Sequence, residues 1–80
     1  MDSYIGQIAL FPYGFAPSGW AFCEEQTLPI PKYIALFSFL GKNFGGDGER
    51  TFALPDLRDK EPMPGIRYCI SLGGLFPSAI

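Results

Sequence analysis

Ile66-Arg67-Tyr68-Cys69-Ile70-Ser71-Leu72 alternates apolar and other residues without a break. Successive side chains of a β-strand point to opposite faces, so this pattern predicts a strand with Ile66, Tyr68, Ile70 and Leu72 inward and Arg67, Cys69 and Ser71 on the other face. Upstream, Pro31 suits the first turn of a helix, and residues 32–40 continue it. Tyr33, Leu36, Phe37 and Leu40 recur at helical spacing and form one apolar stripe, and Gly41 stands where a glycine ends a helix. Ile34 and Phe39 lie on the other side, so this short helix is expected to be buried on two sides, one of them against another subunit.

The rest of the chain reads as short strands and turns. Residues 4–11 predict a strand stopped by Pro12, with Tyr4, Ile8 and Leu10 on one face and Ile5, Gln7 and Ala9 on the other. Pro12 to Gly19 is a turn-rich loop, Trp20 to Cys23 a second strand, and Glu24-Glu25-Gln26-Thr27 a solvated turn. Leu28-Pro29-Ile30-Pro31 is extended because residues before proline avoid the helical region. Gly45-Gly46-Asp47-Gly48 predicts a sharp turn with positive φ angles. A phosphate loop would need a lysine and a following helix there, and neither fits. Asp47 and Glu49 lack the spacing of a calcium loop. Asp56 and Arg58 are expected to cap and pair locally, and residues 59–65 form a polar connector. Together these predict one α+β domain over residues 1–80. It has a small, mostly antiparallel sheet, one short buried helix and long ordered loops.

Composition narrows the chemistry. The chain has 80 residues, 48% of them hydrophobic and only 18% charged, with six Lys and Arg against eight Asp and Glu. A chain this short buries only ~60% of its unfolded surface, so it holds more apolar area than it hides easily. A net charge of −2 without a basic stripe argues against nucleic-acid binding. There is no histidine, hence no Ser-His or Cys-His pair and no imidazole metal ligand. No nucleophile sits beside a base, so no enzyme, cofactor or metal is expected. No apolar run approaches the ~20 residues that span a bilayer. The start, Met1-Asp2-Ser3-Tyr4, lacks the features of a signal peptide. Cys23 and Cys69 are two buried thiols or one long-range disulfide. A loop of that size would contribute about 4 kcal/mol through such a bond. Leu75, Phe76 and Ile80 make an apolar tail that suits docking onto this core or a neighbour.

Several strings occur in order: Gly6-Gln7-Ile8, Phe11, then Phe15-Ala16-Pro17-Ser18-Gly19-Trp20-Ala21-Phe22-Cys23, Leu28-Pro29-Ile30, Ala35-Leu36-Phe37-Ser38, Gly45-Gly46-Asp47-Gly48 and Thr51-Phe52-Ala53-Leu54-Pro55-Asp56-Leu57-Arg58. Together they resemble the phage tail-collar domain, a module also found in microcystin-dependent-protein-like sequences of bacteria. Tyr68-Cys69-Ile70, Gly74 and Phe76-Pro77-Ser78 resemble the close of that group's short members. The family usually carries a glycine near Glu25, polar residues near Lys32 and Tyr33, and a glycine near Asp59. Longer members continue into a fibre tip with histidine motifs, so no metal site or receptor-binding tip is carried over.

The resemblance implies a structural role in an extracellular fibre, filament or phage-tail-like appendage, on a virion or outside the cell. The expected partners are copies of the chain itself and other tail or appendage proteins. Ile34, Phe39, Leu75, Phe76 and Ile80 are the candidate self-association residues. Residues 4–11 and 66–72 are candidate edge strands for pairing between subunits. The alternative is a small adhesin or tail adaptor that holds a host glycan or protein on Trp20, Tyr13 and Phe15. Against it stands the reading of Trp20 as core.

Overall fold

The computed structural model describes residues 3–12 and 14–75. Five short strands and one helix follow in chain order: β1 (Ile8–Phe11), β2 (Trp20–Phe22), β3 (Thr27–Pro29), α1 (Ile34–Leu40), β4 (Thr51–Ala53) and β5 (Arg67–Ser71). A single 3₁₀ turn, Ile30–Lys32, joins β3 to α1. The strands form two antiparallel sheets, β1-β5-β2 and β3-β4. This is the α+β arrangement that the sequence predicts.

The alternation in β5 is met on its inward face, where Ile70 is fully buried. Its other face is covered too, because Cys69 and Ser71 are equally inaccessible. The register explains this. Ala9 and Phe22 stand opposite Cys69, Phe11 opposite Arg67, and Trp20 opposite Ser71, all on the face away from the main core. Phe11 and Trp20 meet edge to face across β5, ring centroids 5.0 Å apart. The Arg67 guanidinium lies 3.6 Å from the centroid of the Phe22 ring and pairs with Glu24. Glu24 is therefore held by an ion pair rather than solvated in a turn. β5 is the middle strand, so residues 66–72 do not offer the free edge that their sequence suggested.

Cys23 and Cys69 are both free and buried. The Cys23 amide donates to the Tyr68 carbonyl (3.1 Å), which continues the β2-β5 ladder by one pair. Cys23 thus shares the face of Tyr68 and Ile70, whereas Cys69 lies under the aromatic layer on the other side. The intrachain disulfide that the sequence allowed is not formed, because the sheet itself stands between the thiols. Burial pushes the Cys23 thiol up to about 11 and raises Cys69 as well.

The start of the chain departs from simple alternation. Tyr4 to Gln7 is a turn closed by the Gln7 amide on the Tyr4 carbonyl (3.1 Å), with Gly6 at φ 80°. The Gly6 amide donates to the Ser71 carbonyl and the Ser71 amide to the Gln7 carbonyl, both at 2.9 Å. Two residues thereby oppose one, which is a β-bulge with glycine in the left-handed position. The bulge turns Ile5 into the core and leaves Tyr4 exposed, the reverse of the expected pairing of faces. Ser3 is tied to the other end of the chain. Leu75 donates its amide to the Ser3 carbonyl (3.0 Å) and accepts from the Ile5 amide (2.9 Å).

The main core joins Ile5, Cys23, Leu36, Phe52, Leu54 and Ile70 between the two sheets and α1. Tyr33, Phe37 and Leu40 pack against it beside Leu36, as the helical stripe predicts, and the Phe37 and Phe52 rings lie 5.4 Å apart. α1 begins two residues later than expected, after the 3₁₀ turn, and ends at Gly41 (φ 57°), whose amide donates to the Phe37 carbonyl. Within one chain the helix is half-buried: Leu36 is its fully covered residue, and the Ile34 side expected to face another subunit is open.

Glu25 (φ 64°) and Asp59 (φ 68°) are the non-glycine residues with positive φ among those described. Both side chains are exposed. A left-handed L-residue is strained by roughly 1–2 kcal/mol, partly offset by the greater freedom of glycine when unfolded. Glu25→Gly and Asp59→Gly are each expected to raise stability by about 0.5–1 kcal/mol. Urea unfolding curves of the two variants check this, and a lower midpoint in both would contradict it.

Candidate self-association surface

A sheet edge presents unpaired amides and carbonyls unless the protein covers it. Among the described residues, the edges of β2 and β4 are partly occupied by the chain's own groups, and that of β3 is interrupted by a proline. On β4, the Ala53 amide donates to Gly45 and the Thr51 carbonyl accepts from Gly48. On β3, Pro29 has no amide to offer. On β2, the Trp20 amide donates to the Pro17 carbonyl and the Gln26 side chain donates to the Phe22 carbonyl (2.7 Å).

β1 differs. Its odd residues face β5, as the Ser71-to-Gln7 bond and the register show. The amides and carbonyls of Ile8 and Leu10 therefore point away from the sheet, and none of the described residues meets them. The side chains of Ile8 and Leu10 lie on the core face yet stay 43% and 38% exposed. Sequence reading named residues 4–11 as a candidate edge strand with Ile8 and Leu10 on one face, but not the Gly6 bulge that admits Ile5 to the core.

The other candidates stand as follows. Ile34 is 63% exposed on α1, with Phe39 and Leu75 also exposed; Phe76 and Ile80 lie outside the described residues. Ile34 and Phe39 share α1, and Leu75 pairs with Tyr4 at the joined ends of the chain. Of the aromatic platform, Trp20 is packed against Phe11 rather than presented, Phe15 is exposed, and Tyr13 lies outside the described residues.

The charged turns are inward-looking devices. One Asp47 carboxylate oxygen accepts from the amides of Glu49, Arg50 and Thr51 at 2.8–2.9 Å. Those backbone bonds hold the Asp47 carboxyl down at about 2. Asp56 takes the Arg58 side chain with both oxygens at 2.9 Å and also accepts its amide, which lowers Asp56 to about 2 and raises Arg58. Both carboxyls have folded-state values below the ordinary one of 3.8. Their contribution is therefore present above pH ~4 and is lost as the pH falls from there towards 2. Urea midpoints measured between pH 6 and pH 2 should fall across that window, and Asp47→Asn should flatten part of the fall. A midpoint that stays level down to pH 2 would contradict it. Among the described residues, no cluster of acidic or cysteine side chains could hold a metal ion, and no helix is long and apolar enough to cross a membrane.

The family model for the phage tail collar domain matches residues 6–62, which takes in the Gly6 bulge, α1, the Asp47 turn and the Asp56-Arg58 pair. The chain belongs to the phage tail collar domain family. No curated protein and no solved structure matches it significantly. A collar domain is a structural component of phage tails, and that places the chain among tail-fibre proteins. The collar signature coincides with structural positions: the glycines and the Asp47 carboxylate shape one turn, and Phe52 and Leu54 fill the core.

Proposed function

We propose that this collar domain is a self-associating structural subunit of an extracellular fibre or phage-tail-like appendage. The observation that carries the reading is Ile34, a large aliphatic side chain left 63% exposed on a helix whose opposite stripe is in the core. Apolar surface left open on a small chain is area that a neighbouring copy covers. Other tail or appendage proteins are the further partners. The alternative of a small adhesin keeps only Phe15 of its platform among the described residues.

Sedimentation equilibrium over a wide range of concentration tests the reading. The average mass is expected to rise with concentration, and Ile34→Lys to weaken the rise while changing stability by less than about 0.5 kcal/mol, as surface substitutions do. A monodisperse monomer at every concentration overturns it.

A further inference from the structure

We infer that β1 is the edge by which two copies join, pairing antiparallel with the β1 of a second copy so that the β1-β5-β2 sheet continues from one molecule into the next. The inference rests on the self-association just proposed and specifies its geometry.

Three observations carry it. First, proteins blunt their sheet edges, and this one partly occupies β2 and β4 with its own backbone and a side chain and interrupts β3 with a proline, while among the described residues no group meets the outward amides and carbonyls of Ile8 and Leu10 on β1. Second, the open stretch is bounded on both sides. The Gly6-Gln7 bulge limits it before Ile8, and Pro12, with no amide, limits it after Phe11. The outward groups of Ile8 and Leu10 are thus a self-complementary pair: with Ala9 on a two-fold axis, Ile8 meets the second copy's Leu10, and Leu10 its Ile8. Third, Ile8–Phe11 carries no charge, so two copies of a chain with net charge −2 meet here without like charges facing each other. A charged peptide would gain no ionic partner on this strand. The half-exposed side chains of Ile8 and Leu10 would be covered by the same pairing.

Hydrogen exchange of the Ile8 and Leu10 amides, followed by NMR on the whole chain at low and high concentration, tests this. Protection of both amides is expected to rise at least about tenfold on association, while the Ala9 amide, bonded within the sheet, stays protected throughout. Leu10→Lys, which puts like charges near the axis, is expected to weaken association by roughly tenfold or more. Ile8→Lys is the second variant, should Leu10→Lys fail to fold. Association that leaves both amides exchanging freely overturns the β1 pairing but keeps the proposed self-association. Protection that is the same at every concentration overturns it as well, since a segment of the same chain then occupies the edge. A monomer at all concentrations removes both.

Discussion

Phe52→Ala is expected to leave the protein close to unfolded at 25 °C. Phe52 is fully buried, and its ring meets Phe37 of α1 at 5.4 Å while its backbone pairs with Leu28 of β3. Truncating a buried phenylalanine removes about 3–5 kcal/mol, because the transfer of the ring from water is lost and the cavity closes only in part. A chain of 80 residues has a total stability of roughly 4–12 kcal/mol. The deletion is thus comparable to the whole at the lower end of that range. Circular dichroism with urea titration checks it, and a loss below about 1.5 kcal/mol would mean that Phe52 does not organise the core.

Gly46→Ala is expected to be nearly as damaging, for a different reason. A Cβ on Gly46 would stand 2.5 Å from the Phe52 Cα, 2.7 Å from the Thr51 carbonyl oxygen and 2.8 Å from the Phe52 amide nitrogen. All three are backbone atoms of β4 and cannot swing aside as a side chain would. Gly46 also has φ 83°, which strains an L-residue by roughly 1–2 kcal/mol. Overpacking adds about 1–3 kcal/mol, so the total loss is about 2–5 kcal/mol. Gly19→Ala is the control. Gly19 has the same φ of 83° with open space around its Cβ position, so it reports the strain alone. Equal losses in the two variants would show that the close approach to β4 contributes nothing.

The parts of the fold that follow from local pattern were legible in the sequence. The β5 alternation marked Ile70 as core, and helical spacing marked Leu36, Phe37 and Leu40. The same spacing left Ile34 and Phe39 off the core stripe, which is why those two surface residues were identifiable in advance. What depends on distant partners was not legible. That β5 is central rather than an edge is decided by β1 and β2, which lie far from it in the chain and approach from opposite sides. The burial of Cys69 likewise comes from Phe11, Trp20 and Phe22, none of them near it in sequence. A period-two reading of residues 4–11 assumed an unbroken strand, and one left-handed glycine was enough to exchange Ile5 with its neighbours. Of the pairing surface, the helix side and the strand in residues 4–11 were both named from local pattern, whereas the Gly6 bulge that shortens that strand to Ile8–Phe11 was not.

The Ser3 and Ser71 hydroxyls bond to each other at 2.8 Å, next to the backbone bonds that fasten Ser3 and Ile5 to Leu75. Polypeptide arriving at Ser3 and polypeptide departing from Leu75 thus pass through one doorway. Spliced into a longer fibre protein, such a module would sit as a knob on the thread, adding girth without lengthening the shaft.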